Sequence, residues 1–155
     1  MMLDFGFHNE TANKGYSRKF FKTFILVGLK ELNLDKRKIG ISLNLVGNQK
    51  IRRLNKVYRG KDNQTDVLSF PLNKVLPRNA LRDKTAGGIL ELGDIFISLP
   101  ETTKKAKKEN RSIRDELAIL TVHGFLHLCG FDHEHGQSKA RGMFHIQNKI
   151  LNRLE

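Results

Sequence analysis

The run of residues 117–129 constrains the fold of this chain more than any other part of its sequence. Its side chains are apolar on nearly every side of a helical wheel, so a helix formed here has to lie in the middle of the protein. Ser112 and Asp115, spaced as in a capping box, predict where this helix begins. Gly130, which can adopt the left-handed conformation that ends helices, predicts where it stops. The other elements have to surround it.

Those other elements follow the order βαβαββααα when the buried helix is included. Residue patterns of period two predict strands over 2–8, 39–46, 66–70 and 89–98. Amphipathic spacing and N-cap residues predict further helices over 17–32, 48–59, from 98 onward, and 137–152. The polar residues 72–88 are predicted to be a surface loop. Strands that cluster early and helices that cluster late favour an α+β (layered α/β) fold, a mixed sheet of about four strands packed with about five helices.

The chain has the length of one domain. Its 155 residues contain no repeat, low-complexity tract or linker, so we expect residues 1–155 to form a single domain. No apolar run approaches the length of a membrane span, and the first residues lack the basic opening and apolar core of a signal peptide. One cysteine excludes an internal disulfide and a Cys-rich zinc finger, and no disulfide-linked partner is expected. A small cytoplasmic protein is predicted.

The charge balance points to a polyanionic partner. Lysine and arginine number 28 against 16 aspartate and glutamate residues, a formal net charge of +12. Basic groups set against phosphates release condensed counterions, which makes RNA or a ribonucleoprotein the leading candidate. A basic surface that serves only solubility is the alternative, and charge by itself does not distinguish RNA from DNA or an anionic lipid.

Three histidines of the last third have the spacing of a metal site. His123 and His127 are four residues apart on the buried helix, so both imidazoles project from one face. Gly130 allows the chain to turn back and bring His133 to them. Three protein nitrogens with one open position are typical of a catalytic zinc ion rather than a structural one. Ordinary hydrogen-bonded histidines are the alternative, but three of them around a turn-forming glycine are a far less frequent coincidence.

Two other residues could change that site. Cys129 lies two positions after His127 and points to another side of the helix, so it is expected in the core rather than on the metal. His135 could supply a fourth ligand, which would make the site structural. The spacing is also similar to the metzincin protease pattern, but Gly124 occupies the position of the glutamate that such proteases use as general base. Peptide hydrolysis by that route is therefore disfavoured.

The histidine segment resembles a family signature. His123-Gly-x-Leu-His-Leu-x-Gly-x-Asp-His133 is similar to the motif of the bacterial YbeY family, also called the rRNA maturation factor family. Two further stretches match in the same order: Leu54-Asn-x-x-Tyr-Arg59-Gly-Lys-Asp62 running into Thr65-Asp-Val-Leu-Ser-Phe70, and Leu92-Gly-Asp-Ile95. The histidine motif is highly specific, and the other two support it. Together they extend from about residue 39 to the final helix.

This resemblance implies a function. Members of the family are single-domain, metal-dependent endoribonucleases that act in 3′-end maturation of small-subunit rRNA and in ribosome quality control. It implies that His123, His127 and His133 bind one zinc ion and that Arg59 belongs to the active site. Other first-row divalent metals could replace zinc at such ligands. Single-stranded RNA, small-subunit rRNA and the small ribosomal subunit with its proteins are the implied partners.

Cleavage of a phosphodiester requires groups that bind the phosphate and move protons, and single residues are candidates for these roles. The guanidinium of Arg59 can contact phosphate oxygens in bidentate fashion, although a solvated position on the helix face is the alternative. Asp132 and Asp94 are the nearest candidates for a general base, and Asp132 is better explained as an acceptor that orients a ligand histidine. Whether the nucleophile is a water molecule activated by the metal or the 2′-hydroxyl of the RNA stays open.

Two basic segments are candidates for the RNA path. Residues 50–61 contain no acid, and from them we predict RNA contacts by Arg52, Lys56 and Lys61. Residues 101–114 form the second segment, with six basic residues against two acids: Lys104, Lys105, Lys107, Lys108, Arg111 and Arg114 against Glu101 and Glu109. With no tryptophan and only two tyrosines, base stacking has little support, so recognition is expected to depend on backbone charge and RNA shape. The alternative function is a non-enzymatic ribosome assembly factor that binds rRNA and uses its metal only for stability.

Overall fold

A computed structural model of the chain describes residues 2–72, 88–134 and 136–154. Within these residues it contains four strands and five helices in the predicted order. They are β1 (Met2–Asn9), α1 (Arg18–Glu31), β2 (Lys38–Val46), α2 (Asn48–Arg59), β3 (Val67–Pro71), β4 (Leu90–Ser98), α3 (Leu99–Lys108), α4 (Ile113–Leu128) and α5 (Gln137–Asn152). The predicted α+β class is confirmed. Most of the predicted loop 72–88 lies outside the described residues, as does His135.

The strands form one mixed sheet in the order β1-β2-β4-β3. β1 pairs with β2 and β2 with β4 in parallel, whereas β3 pairs antiparallel with β4 at the edge. The β2–β4 register shifts after Gly40, opposite Gly93. Gly93 has a φ of 128°, and a β-carbon there would collide with the Phe70 carbonyl oxygen of β3. Only glycine therefore allows β3 to approach β4 at this point.

The predicted caps set the starts of the late helices. The Ser98 hydroxyl accepts a hydrogen bond from the Glu101 N–H at 3.2 Å and begins α3. The Ser112 hydroxyl accepts one from the Asp115 N–H at 3.0 Å and begins α4. Each satisfies a backbone donor that has no partner inside its helix. The caps therefore fix where α4 enters the core.

Helices cover the two faces of the sheet unequally. α1, α4 and α5 pack on one face, and their apolar side chains form the main core with those of β1, β2 and β4. α1 approaches α4 closely at Gly28, where a β-carbon would lie 2.5 Å from the Phe125 ring. α2 packs on the other face through a smaller cluster built around Val46, Ile51 and Leu68. Among the described residues, no helix combines the length and apolar character needed to cross a membrane.

Candidate metal centre and cleft

Helix α4 and the turn after it bring the three predicted histidines together. The rings of His123 and His127 have centroids 4.6 Å apart on one side of α4. Gly130, with a φ of 92°, ends the helix, and the Phe131 N–H donates to the Leu126 carbonyl at 3.0 Å. The returning chain places the His133 ring 5.1 Å and 5.0 Å from the other two. One ligand atom from each histidine then lies within 4.8 Å of the others.

The donor atoms fit one divalent ion. The Nε2 atoms of His123 and His127 are 3.1 Å apart. Two nitrogens on a tetrahedral ion, each with a bond of about 2.0–2.1 Å, would be about 3.3 Å apart. The Nδ1 atom of His133 is buried and has no hydrogen-bond partner among the described residues. A buried nitrogen without a partner is unfavourable unless something else binds there, and a metal ion would supply that bond.

A glutamine of helix α5 orients the first histidine. The Oε1 atom of Gln147 lies 3.0 Å from His123 Nδ1, and the Gln147 side chain is buried. The carbonyl oxygen can only accept, so Nδ1 carries the proton and Nε2 keeps its lone pair for the metal side. We had not predicted this residue. Its signal in the sequence is a single amide between Met143 and Ile150 on the apolar face of α5.

Burial keeps two of these imidazoles neutral. It lowers the pKa of His127 from an ordinary 6.5 to about 4, and the neighbouring His123 and His133 contribute to the shift. Burial also lowers the pKa of His123, although the hydrogen bond that it donates to Gln147 acts in the opposite direction. Metal ions bind imidazole only in its neutral form. The site therefore holds its ligands ready to bind metal at neutral pH.

The histidines lie at the base of an open cleft of about 630 Å³. Strand β3 lines it with Val67, Ser69 and Pro71, and helices α4 and α5 line it with Ile119, Leu120, Phe144 and Gln147 besides the histidines of α4. The remaining lining residues come from α2, α3 and the loops: Arg59, Thr65, Asp66, Lys105, Asp132 and Glu134. The cleft has room for a substrate that reaches the histidines from solvent.

Arg59 lies at the mouth of this cleft. It is the last residue of α2, which ends because Gly60 takes a left-handed conformation with a φ of 68°. Its Nη2 atom is 4.0 Å from the Glu134 carboxylate, and the side chain is 44% exposed. A pair this loose and this exposed is weak. The guanidinium therefore keeps donors available for a phosphate group.

The other predicted basic residues divide into two groups. Arg52, Lys56 and Lys61 are exposed and do not line the cleft. Asp62, just beyond the acid-free segment, accepts from Arg52 Nε at 2.9 Å and lies 3.9 Å from Lys56 Nζ. Asp62 therefore partly neutralises the positive charge of residues 50–61. The charge count over that segment leaves Asp62 out because it lies one position beyond the segment.

Lys105 of the second basic segment does reach the cleft. Its Nζ atom lies 3.1 Å from Asp66 and 3.6 Å from Glu116. The Glu116 side chain is fully buried and also binds Arg111 at 2.8 Å. Burying a carboxylate is unfavourable unless it is paired, and the two cations supply that pairing. The fold thus fixes a second positive charge, besides Arg59, among the residues that line the cleft.

Of three other residues considered for the chemistry, two lie away from the cleft. Asp94 points into the sheet and hydrogen-bonds to the Ser42 hydroxyl, and it does not line the cleft. Cys129 is buried in the core, and burial raises the pKa of its thiol, as expected for a residue that binds no metal. Asp132 does line the cleft, and its Oδ1 atom accepts from the Glu134 N–H at 2.7 Å.

Comparison with known proteins settles the family. The family profile described as endoribonuclease YbeY matches residues 6–155. The chain belongs to the endoribonuclease YbeY family. This confirms the predicted relationship and, with it, the predicted nuclease class of enzyme.

Individual relatives span nearly the whole chain. The endoribonuclease YbeY of a Sulfurihydrogenibium species is 40% identical over 148 residues, which cover 95% of this chain and 90% of the relative. That of Persephonella marina is 35% identical over 147 residues, with the same coverage of both chains. A solution structure from Thermotoga maritima, 26% identical, superposes with a TM-score of 0.60 and covers 94% of this chain and 85% of that one. The Thermotoga maritima structure and this chain therefore share one fold.

Proposed function

We propose that this chain is a zinc-dependent endoribonuclease that cuts single-stranded RNA during 3′-end maturation of small-subunit (16S) rRNA and in ribosome quality control. One observation supports the proposal above the others. The three histidines and Arg59 line the same open cleft, so a metal-binding group and a phosphate-binding group face one substrate space. Residues 1–155 act as one endoribonuclease domain. The site of action is the cytoplasm, on the small ribosomal subunit and its proteins.

The chain's own residues bind and orient the RNA. Bound at His123, His127 and His133, a zinc ion would supply Lewis acidity toward a phosphoryl oxygen. Arg59 binds the same phosphate through its guanidinium and stabilises the charge that develops there. Gln147 holds the His123 ring in the orientation that directs Nε2 into the cleft. Arg52 and Lys56 extend the positive surface from Arg59 along α2, Lys61 follows just after the helix, and all three contact flanking phosphates.

Zinc is proposed from the donor set. Three imidazole nitrogens suit zinc with an open fourth position, although other first-row ions bind such ligands as well. All three histidines come from segment 123–133, so an ion would not connect distant parts of the fold. The core is already packed without it. We therefore expect the metal-free protein to stay folded, in contrast to a protein whose metal serves stability alone.

Cleavage of a labelled single-stranded RNA tests the proposal. The wild-type protein is compared with Arg59→Ala, His127→Ala and the control Lys30→Ala, whose basic side chain lies on α1 away from the cleft. We expect wild type and Lys30→Ala to cut the RNA, and both other variants to lose at least about a hundredfold in rate. A chelator should abolish cleavage and added zinc should restore it.

The melting curve separates the two functions considered. If His127→Ala and the chelated protein melt like the untreated protein but do not cut RNA, the metal acts in catalysis. If all preparations cut equally, the activity is a contaminant and the proposal fails. If metal removal unfolds the chain, the non-enzymatic assembly factor becomes the better explanation.

A further inference from the structure

Phe144 exposes an aromatic ring in the wall of the cleft. It lies on α5, and 45% of its surface is accessible to solvent. Its neighbours on the helix, Met143 and Gln147, are buried against the protein. The ring therefore contributes little to packing α5, although single exposed apolar side chains are common and mean little by themselves. Its position relative to the histidines is what requires an explanation.

The ring stands beside the metal centre. Its centroid is 6.4 Å from that of the His123 ring, and the two planes are inclined by 31°. Phe144 is also three residues from Gln147, the residue that holds His123. The ring thus stands next to His123 and lines the cleft, with almost half of its surface open to solvent. That arrangement suits a flat apolar group, such as a nucleobase, bound beside the proposed metal site.

We propose that Phe144 stacks on a nucleobase adjacent to the phosphate that is cleaved. The inference rests on the proposed endoribonuclease function and adds a base-binding subsite to it. Every nucleobase has a π-face, so stacking on an aromatic ring binds single strands with little dependence on sequence. Bases in a duplex are stacked on each other and cannot reach the ring. Phe144 thereby contributes to a preference for single-stranded RNA.

This subsite differs from the recognition that we expected from composition. The scarcity of tryptophan and tyrosine gave base stacking little support. The chain has ten phenylalanines, however, and one of them is exposed at the site. Composition does not show which phenylalanines are buried, so only the fold could single out Phe144.

Substitutions that keep either size or aromaticity test the subsite. Phe144→Leu retains an apolar side chain without a π-face, and Phe144→Tyr retains the ring. Leu154→Ala, which removes an exposed apolar side chain near the C-terminus, is the control. We expect Phe144→Leu to weaken binding of a single-stranded RNA by about five- to hundredfold, as one lost base–aromatic stack would. Phe144→Tyr and Leu154→Ala should bind like the wild type.

Abasic substrates identify the base. A set of oligonucleotides, each lacking one base near the cut, is bound to the wild type and to Phe144→Leu, with and without zinc. We expect one abasic position to weaken wild-type binding by the same factor as Phe144→Leu, and to have no further effect on that variant. Equal binding by Phe144→Leu and wild type, or additive effects at every position, would overturn the inference. Binding is read without cleavage, so a failure of the nuclease proposal is seen separately, as an intact wild-type substrate.

Discussion

Gly124 occupies a position where the fold has no space for a side chain. A β-carbon there would lie 2.9 Å from Cγ2 of Ile95 and 3.2 Å from the Ser69 hydroxyl oxygen. That hydroxyl also donates to the Gly124 carbonyl at 3.2 Å. The close approach brings α4, with its histidines, down onto β3 and β4. Packing thus gives a reason for glycine at position 124, where the metzincin pattern has its glutamate.

Replacing Gly124 tests this close contact. Alanine would favour the helix by roughly 1 kcal/mol, but its methyl group would have to displace the buried Ile95 side chain. We expect Gly124→Ala to lower the free energy of unfolding by about 1–3 kcal/mol in urea denaturation. Gly142→Ala, where a β-carbon meets nothing within 4 Å, is the matched control and should stabilise the protein slightly. A Gly124→Ala protein as stable as the wild type would contradict this account.

The depressed pKa of His127 predicts a pH dependence of stability. In the metal-free folded protein this pKa is about 4, and in the unfolded chain it returns to about 6.5. The unfolded chain therefore binds the proton more tightly, and stability, complete above about pH 6.5, decreases as the pH falls toward 4. Because the ring is partly exposed, we expect this residue to account for only about 1–2 kcal/mol of that loss.

Urea denaturation at pH 7, 5.5 and 4.5 checks the contribution of His127. Carboxylates also titrate near the lower pH, so the measured quantity is the difference between the wild type and His127→Gln. We expect the variant to lose less stability over this range. Parallel pH profiles for the two proteins would show that the imidazole does not titrate as the geometry implies.

Among the elements, α5 acts on the proposed metal centre through α4. Its buried face contacts the core through Met143 and Ile150, and between them Gln147 fixes the His123 ring. The orientation of the His123 ring therefore depends on α5 as well as on α4, which carries the residue. A hydrogen bond of this kind to a metal-binding histidine affects metal affinity more than folding.

The variant Gln147→Met separates these two effects. Methionine has a similar volume but accepts hydrogen bonds only weakly, so the helix should remain packed while the His123 ring loses the bond that orients it. We expect zinc affinity to fall by about 10- to 100-fold, with little change in melting temperature. Competition with a chromophoric chelator measures the affinity. Unchanged affinity would exclude an orienting role for Gln147.

The elements were more predictable from sequence than the contacts between them. Caps at Ser98 and Ser112 and the apolar run before Gly130 are local signals, and the structure places helices where they indicated. Histidine spacing predicted the cluster because one helical turn and one tight turn suffice to form it. Gln147 and Lys105 reach the cleft only through packing of α3 and α5, and no local pattern contains that information.

Across the whole molecule, the basic residues differ in how strongly they can bind RNA phosphates. The net charge is +12, but ion pairs already occupy part of it, as at Arg52 with Asp62 and at Lys149 with Glu31. An unpaired cation releases a counterion when it meets a phosphate, whereas a paired one first has to leave its carboxylate. The charges most useful to RNA are therefore fewer than the composition suggests.

The salt dependence of RNA binding measures this difference. For a single strand, each phosphate contact contributes about −0.7 to the slope of log K against log salt concentration. We expect Lys61→Ala to reduce the magnitude of that slope by roughly this amount, and Arg52→Ala to reduce it by clearly less because of Asp62. Lys30→Ala is the control and should leave it unchanged. Equal changes for Lys61→Ala and Arg52→Ala would show that the Asp62 pair does not persist in solution.

The order of the elements along the chain has a consequence for synthesis. All four described strands precede Leu99, whereas the three clustered histidines and Gln147 lie in α4, in the turn after it and in α5. A ribosome releases the N-terminal part of a chain first, so the sheet and Arg59 emerge well before any residue that could hold the metal. The growing polypeptide consequently has no complete cleft until α4, the turn after it and α5 have also emerged. The sheet can begin to form while the residues that would hold the metal are still to be synthesised.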